Sequence, residues 1–303
     1  MVFMGIFLVT AYTFFALPPG SDSDAHKQFR KSIQKKRHRK DISFKKSPTS
    51  PMAAVKRLPV KEGKKEQKTF VIEKNRDISL CSEEVPGVKF SLINKKGHWS
   101  WENPLSGTAG VTCTAAGKPV PSGSLLPEQA MFRLECCLVK VYTSKDGLVL
   151  MVYDSMREEL KNFSHLIYFP PDPAYAVPAV LKKFPSITPV TMLTSRNLKK
   201  TFYRYASIHF NAAGKNRQLT AYKFSLKGHT LFIPFADTTN GKETYYSGRF
   251  LEIPEPRQAN FILDFNLCFN PLCNYSPAFN CPLPPMENIL DIPIKAGEKT
   301  YPH

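Results

Sequence analysis

Short apolar runs, separated by turn residues, follow one another along the chain from residue 69 onward. In the first half these runs predict strands at residues 69–72, 78–81, 88–93, 98–101, 110–114, 131–142 and 148–153. Stretches rich in turn-forming residues separate them, as at residues 84–87 and 94–97. Several short strands at this spacing are typical of a β-sandwich or a barrel.

A second series of strand-like runs follows a proline-rich stretch at residues 168–175, which cannot be helical and predicts an extended connector. The runs beyond it predict strands at residues 201–210, 218–226, 230–235, 245–253 and 260–267. Long helical periodicity is absent. We therefore expect a mainly β chain with two sandwich- or barrel-like domains, one over residues 69–155 and one over residues 156–303.

The start of the chain has a different composition. No charged residue occurs from Met1 to Leu17, and Pro18 ends the apolar run. This run predicts a hydrophobic signal or anchor segment over residues 1–20, either cleaved or retained, in a membrane-associated or extracytoplasmic protein. The segment has no positive charge before its apolar part, and a strongly basic stretch follows it, which argues against easy export. A buried core helix is the alternative.

Most of the net charge of +17 lies near the N-terminus, where residues 1–70 hold 16 of the 42 basic residues and 5 of the 25 acidic ones. The densest run extends from Lys27 to Lys40. We expect residues 21–68 to form a basic arm and linker without a core of its own, with a short helix at residues 24–46. Such a run binds anionic lipid surfaces or nucleic-acid phosphates, or is simply solvated. Nucleic acid is disfavoured because no recognition module accompanies it.

The seven cysteines contain no C-x-x-C pair, so no metal site is predicted. Cys136 and Cys137 are neighbours in a strand-like run and point to opposite faces, so we interpret them as small core residues. Cys273 and Cys281 lie eight residues apart in a proline-rich loop. They are a candidate disulfide, with two reduced thiols as the alternative.

The most distinctive motifs lie between residues 232 and 299. They read D-T-T-N-G-K-E-T-Y-Y-S-G-R-F-L from 237, D-F-N-L-C-F-N-P-L-C-N-Y from 264, C-P-L-P-P-M-E-N-I-L from 281, and A-G-E-K from 296. This motif block resembles the uncharacterised family numbered 1684 among the domains of unknown function. The resemblance covers residues 165–299, including F-P-P-D-P-A-Y at 169–175.

The first β region is more loosely similar to the N-terminal half of longer family members, which suggests a forkhead-associated-like sandwich. Only R-D-I-S-L at residues 76–80 remains of the entry motif, and the glycine-bearing part is missing, so no phosphopeptide site is carried over. Family members are commonly exported or lipid-anchored. This chain has no cysteine near residue 20, which does not support a lipoprotein anchor.

The family carries no established activity, so candidate sites rest on residue chemistry. Asp237, Glu243 and Asp264 around Arg249 form the catalytic candidate, because carboxylates beside arginine can perform acid–base chemistry or hold a cation. The alternative is a structural network in which Arg249 binds carboxylates. The binding candidates are the remaining polar residues of the block: Asn266, Asn270, Glu287, Asn288 and Glu298.

Two classes of function follow. The first is a membrane-associated or exported binding or structural module, with the membrane contacted from Met1 to Leu17 and from Lys27 to Lys40, and with a small-molecule ligand as an option. The second is a small-molecule hydrolase or metal-dependent enzyme that uses the carboxylates of the motif block. Convergence of the four catalytic candidates in one open pocket would favour the enzyme. No cofactor is assigned.

Overall fold

The computed structural model describes residues 23–61, 67–72, 78–81, 89–95, 97–103, 111–134, 137–144 and 147–302. The predicted signal or anchor segment at residues 1–20 and Cys136 lie outside the described residues, as do residues 76 and 77 of the forkhead-associated-like motif. No helix in these described ranges is both long and apolar enough to cross a membrane.

The described chain begins with a long helix, α1 (Asp24–Lys46). Ser23 caps its N-terminus by accepting a hydrogen bond from the His26 amide at 3.3 Å. Lys45 and Lys46 in the last turn complement the helix dipole. Ile33 and Phe44 are buried, so the helix packs one side against the rest of the molecule.

A 3₁₀ turn (Pro51–Ala53) leads from α1 into the first strand, β1 (Ala54–Lys61). The expected helix at residues 24–46 is present as α1. The expectation of an unpacked arm and linker at residues 21–68 is wrong for residues 24–61, because they pack against the rest of the protein. Most of this stretch is regular structure, and it contributes buried residues such as Met52 and Val60.

The first β region contains two sheets. One has the strand order β1-β10-β9-β8-β6-β7, and the other has the order β3-β2-β4-β5. The strands after β1 are β2 (Gln67–Ile72), β3 (Ile78–Cys81), β4 (Lys89–Lys95), β5 (His98–Glu102), β6 (Val111–Ala115), β7 (Lys118–Pro119), β8 (Met131–Leu134), β9 (Cys137–Ser144) and β10 (Gly147–Asp154).

The two sheets pack face to face through a shared aromatic core. The ring of Phe90 on β4 stacks on the ring of Phe132 on β8, with 4.3 Å between the centroids. Trp101 on β5 meets Phe132 edge-on at 5.4 Å. Because these rings come from opposite sheets and are buried, they hold the layers together. The predicted sandwich-like region is confirmed.

The second β region is one antiparallel sheet with the order β15-β14-β13-β12-β11-β16, curled into a half-barrel. A short helix, α2 (Glu158–Lys161), precedes it. Its strands are β11 (Ala176–Leu193), β12 (Lys199–Ala212), β13 (Lys215–Lys223), β14 (Thr230–Phe235), β15 (Arg249–Pro254) and β16 (Asn260–Asp264). The prediction of a mainly β chain is therefore confirmed.

A C-terminal segment without strands, residues 265–302, covers the half-barrel. It contains the 3₁₀ turns Phe265–Leu267, Leu272–Asn274 and Met286–Asn288. Leu290, Ile294 and Ala296 join the core of the sheet, so this segment is part of the fold rather than a tail.

The N-terminal helix and the C-terminal segment pack against each other. The rings of Phe44 and Tyr275 meet edge-on at 5.0 Å, and Met52 joins the same buried cluster. The hydroxyl of Ser276 donates a hydrogen bond to the carbonyl of Ala54 at 2.7 Å. These contacts bring the basic helix to the motif block.

Candidate functional site

The catalytic candidates are held in separate structural contacts. Asp237 forms a fully buried ion pair with Arg249, at 2.7 Å between Oδ2 and Nη2. The other oxygen of Asp237 accepts hydrogen bonds from the amide of Thr239 at 2.9 Å and from its hydroxyl at 2.6 Å. With both oxygens engaged inside the protein, this carboxylate is not available to a substrate.

Arg249 has 0% of its surface exposed and fixes the end of the chain. Its Nη2 donates to the carbonyl of Ile294 at 2.7 Å, and its Nη1 donates to the carbonyls of Ala296 and Glu298. A guanidinium that satisfies three carbonyls and one carboxylate in the interior performs a structural role.

The other two candidates lie elsewhere. Glu243 is half-buried and pairs with Lys295 at 3.2 Å. Asp264 caps the turn Phe265–Leu267 by accepting the Asn266 amide at 2.9 Å. The four residues do not surround one open pocket, so the geometry that would favour an enzyme is not present. The described ranges also contain no cluster of three His, Cys, Asp or Glu residues that would hold a metal ion.

The side chains of two asparagines in the motif block bond backbone amides and carbonyls of other segments. The side chain of Asn266 accepts from the Asp172 amide and donates to its carbonyl, each at 2.8 Å, which ties the proline-rich connector to the block. Asn288 accepts the Thr220 amide at 2.7 Å and donates to the carbonyls of Thr220 at 2.9 Å and Pro234 at 2.7 Å. Asn288 thereby links β13 to β14. The direct backbone pairing between these two strands is at Tyr222 and Phe232.

The remaining binding candidates also have protein partners. Asn270 donates from its side chain to the carbonyl of Lys299 at 2.7 Å. Glu287 accepts from the Tyr222 hydroxyl and pairs with Arg204 at 3.3 Å near the surface. Burial alone would raise the pKa of Glu287, but these donors outweigh it and lower the pKa.

Glu298 connects the motif block to α1. It is 1% exposed and accepts hydrogen bonds from the Asn270 amide at 2.9 Å and from the Tyr275 hydroxyl. Its other oxygen pairs with Lys40 of α1 at 2.5 Å. This pair crosses the boundary between the basic helix and the block.

A small cavity opens at this boundary, and we refer to it as the cleft. Its volume is about 120 Å³. Basic residues of α1 form one wall, and residues of the connector and the motif block form the other. The lining residues are Lys36, Arg37, Lys40, Tyr168, Asn266, Leu267, Cys268, Phe269 and Glu298. The cleft therefore unites part of the predicted basic run with two of the predicted binding residues.

Arg37 is the unbalanced charge of the cleft. Its Nη1 donates to the Phe169 carbonyl at 2.7 Å, its Nη2 reaches the Asn266 carbonyl at 3.4 Å, and its guanidinium lies 4.5 Å from the ring centroid of Tyr168. Arg37 has no ion-pair partner within the described ranges, and its buried Nε has no hydrogen-bond partner there. Burial lowers the pKa of Arg37, although electrostatic interactions with Tyr168, Glu298 and Asp264 oppose the shift.

Lys40 differs because Glu298 neutralises it. Its ammonium also lies 4.7 Å from the ring centroid of Phe269, a favourable cation–π contact. Lys36 lines the cleft from the exposed side of the helix. Among the residues that line the cleft, three are basic and one, Glu298, is acidic, so the lining carries an excess of positive charge.

Tyr168 and Cys268, which also line the cleft, remain neutral. Burial, with the charges of Glu298 and Asp41, raises the pKa of Tyr168. Asp41 is near, but it accepts the Leu166 amide at 3.0 Å, and the buried Tyr168 hydroxyl makes no hydrogen bond of normal geometry within the described ranges. Burial raises the pKa of Cys268 to about 12. The cleft therefore offers donors and positive charge rather than a nucleophile.

A second charged cluster, on the half-barrel, shows lysines that are directly paired with a carboxylate. Glu255 pairs with Lys183 and Lys223, each at 2.7 Å, and accepts from the Tyr205 hydroxyl. Burial alone would raise the pKa of Glu255, but these donors lower it to about 2. Both lysines here lie at ion-pair distance from a carboxylate, whereas Arg37 forms no ion pair within the described ranges.

A larger hollow of about 320 Å³ lies at one end of the half-barrel. Its walls are mainly apolar, with Tyr175, Val177, Phe265, Ile292 and Ile294 among them, and Asn211 contributes a polar side chain. It carries no charged residue, so the unbalanced charge sits in the cleft.

The fold and the cleft define a β-rich protein in which a basic helix closes against a curled half-barrel. Residues 161–299 match the model of the family described as "Protein of unknown function (DUF1684)", and the chain belongs to this family, as its motifs predict. It is 38% identical to an uncharacterised protein of Haloarcula marismortui solved by solution NMR, over 47% of this chain and 80% of that chain, with a TM-score of 0.41. No curated protein matches the chain.

Proposed function

We propose that the protein is a binding module whose cleft accepts a small anionic group, a carboxylate or a phosphate. The observation that carries this proposal is Arg37, a half-buried guanidinium that forms no ion pair within the described ranges and whose buried Nε has no hydrogen-bond partner there. A buried charge without a counter-ion lowers stability, and an anion placed beside it offsets that cost.

The dimensions of the cleft restrict the ligand. A volume of about 120 Å³ accommodates an anionic head group but not a drug-sized molecule, whose pockets are roughly 300–1,000 Å³. Lys36 lies on the exposed side of the same wall and adds a second positive charge for the anion. The remainder of a larger ligand would extend into solvent.

Inorganic phosphate, compared with chloride at equal ionic strength, tests the proposal. We expect phosphate to raise the melting temperature of the full chain, because a ligand at ten times its dissociation constant stabilises the folded state by about 1.4 kcal/mol. Arg37→Gln and Lys36→Gln should reduce this rise, since each removes one positive charge from the cleft.

Lys35→Gln is the matched control, because Lys35 is an exposed neighbour on α1 that does not line the cleft. It removes the same charge from the same helix and should leave the phosphate response intact. Equal losses in Lys35→Gln and Lys36→Gln would mean that phosphate responds to the overall charge of the helix, and the proposed site would be wrong.

We also propose that the chain associates with an anionic membrane surface. The observation in favour is the outer side of α1, where Lys27, Lys31, Lys35 and Arg39 follow one another at intervals of four residues and are all exposed. This side points away from the contacts that Arg37 and Lys40 make with the motif block. Each basic residue near an anionic bilayer contributes about 1 kcal/mol to binding.

Vesicle sedimentation tests this second proposal. We expect the full chain to bind vesicles of phosphatidylserine and phosphatidylcholine more strongly than phosphatidylcholine alone, because the basic stripe needs negative lipids. A triple variant with Lys31, Lys35 and Arg39 changed to Gln should lose this preference, whereas deletion of residues 1–20 should reduce binding to both vesicles. Equal partitioning of all three proteins would contradict the proposal.

A further inference from the structure

Two cysteines of the C-terminal segment lie side by side. The amide of Cys273 donates a hydrogen bond to the sulfur of Cys281 at 3.3 Å, and both residues belong to the aromatic cluster around Phe232 and Phe250. Both are free thiols in the structure. The structure thus holds this pair in its reduced form, with the two residues in direct contact.

Independent anchors hold the two thiols in place. Cys273 lies in the 3₁₀ turn Leu272–Asn274. Cys281 is tied to the turn between β11 and β12, because its amide donates to the hydroxyl of Ser195 at 3.2 Å and its carbonyl accepts the Ser195 amide at 2.8 Å. The fold therefore brings the pair together without a covalent bond.

The surroundings of the two thiols differ. Cys273 is half-buried and accepts a hydrogen bond from the Tyr245 hydroxyl at 3.7 Å, whereas Cys281 is buried. The hydrogen bond from the Cys281 thiol, together with the one from Tyr245, lowers the pKa of Cys273 to about 6, even though burial opposes the shift. The same contact and burial raise the pKa of Cys281. Cys273 is thus the more acidic thiol of the pair and Cys281 the less acidic one.

We propose that Cys273 and Cys281 form a reversible oxidation site for hydrogen peroxide, with Cys273 as the nucleophile and Cys281 as the resolving thiol. The sulfur of Cys273 attacks one peroxide oxygen, the O–O bond breaks, and hydroxide leaves and takes up a proton as water. This step produces a sulfenic acid on Cys273.

Cys281 completes the reaction. Its sulfur attacks the sulfur of the sulfenic acid, the S–S bond forms, the S–O bond breaks, and the oxygen leaves as water with the proton of the thiol. In sum the two thiols lose two electrons and two protons, and one peroxide molecule is reduced to two water molecules. A dithiol reductant reverses the oxidation.

Cys268 provides an internal control in the same segment. It is fully buried, its thiol donates to the Phe265 carbonyl at 2.7 Å, and burial raises its pKa to about 12. A thiol in this state reacts slowly with peroxide. Cys268, Cys273 and Cys281 all lie in the tryptic peptide that ends at Lys295, because no lysine or arginine occurs between Arg257 and Lys295. One peptide therefore reports all three residues.

Mass spectrometry of this peptide tests the proposal on the full chain. The reduced protein is treated with limited hydrogen peroxide, then denatured, alkylated and digested. We expect Cys273 and Cys281 to be protected from alkylation as a disulfide and Cys268 to be alkylated, with dithiothreitol restoring all three sites. Retention of three alkylated cysteines after peroxide, or a disulfide that includes Cys268, would overturn the proposal.

Two variants separate the roles of the thiols, and their melting temperatures confirm that they fold. In Cys281→Ser the sulfenic acid has no resolving thiol, so dimedone should label Cys273. In Cys273→Ser the oxidation of Cys281 should slow at least about tenfold, because a buried thiol lacks the reactive thiolate. If Cys281 is oxidised equally fast in Cys273→Ser, Cys273 is not the nucleophile and the mechanism is rejected. If either variant fails to fold, the peroxide-induced disulfide in the wild-type peptide decides whether the site exists.

Discussion

Arg249→Ala is expected to lower the free energy of unfolding by about 3–5 kcal/mol, which makes it one of the two most damaging substitutions considered for this protein. The side chain is fully buried and pairs with Asp237 at 2.7 Å. Alanine would leave that carboxylate buried without its counter-ion. It would also remove the donor of the Ile294 carbonyl and of the carbonyls of Ala296 and Glu298.

Urea unfolding of wild type and variant measures this loss. Arg204→Ala is a suitable control, because Arg204 pairs with Glu287 at 3.3 Å near the surface and should cost at most about 1 kcal/mol. The double variant with Arg249→Met and Asp237→Leu should recover part of the stability, since it removes both buried charges. An Arg249→Ala protein within about 1 kcal/mol of wild type would contradict the structural role.

Strand prediction from the sequence succeeded where apolar residues alternate and failed where prolines or charges interrupt the pattern. The run A-V-K-R-L-P-V-K reads as a linker, yet it forms β1. This strand lies at the edge of its sheet, where Pro59 needs no second partner. Strand β11 was not predicted, because its sequence contains three prolines. Pro178 nevertheless pairs with β16 and Pro189 with β12. Long-range pairing overrides local propensity in both strands.

The candidate site could be predicted only in pieces. The basic run and the motif residues Asn266 and Glu298 were each identifiable, but Arg37 and its contact at Asn266 are 229 positions apart. One local signal was present. Ile33, Arg37, Lys40 and Phe44 follow at helical spacing, so two apolar residues and two of the cleft cations share one side of α1. That stripe indicates that part of the basic run faces the interior of the protein.

The carboxylates and amides of the motif block were open to two interpretations, and their partners favour the structural one. Asp264 caps a turn, Asn266 and Asn288 satisfy backbone groups, and Asp237 is locked to Arg249. Asp and Asn occur in turns because their side chains bond nearby backbone groups, and the same residue types also build catalytic sites. Only the three-dimensional arrangement distinguishes the two uses.

Gly297→Ala is the second substitution with a large expected effect. Gly297 has a φ of +74°, and a Cβ atom there would lie 2.6 Å from the Cys268 carbonyl oxygen and 3.0 Å from that of Phe265. Both obstacles are backbone atoms, so the turn that carries Asn266 would have to move. We expect a loss of about 3 kcal/mol, from a backbone strain of about 1 kcal/mol and overpacking of about 2 kcal/mol.

Gly214→Ala isolates the steric part of this effect, because Gly214 has a nearly identical φ of +71° and a Cβ atom added there would meet no other atom within 4 Å. Both variants carry the backbone strain, so the difference between their unfolding free energies measures the collision at Gly297. Since Glu298 and the Cys268 turn both border the cleft, Gly297→Ala should also weaken the phosphate response, whereas Gly214→Ala should preserve it. Equal destabilisation by the two substitutions would show that the segment around Glu298 adapts readily and does not hold the cleft in a fixed shape.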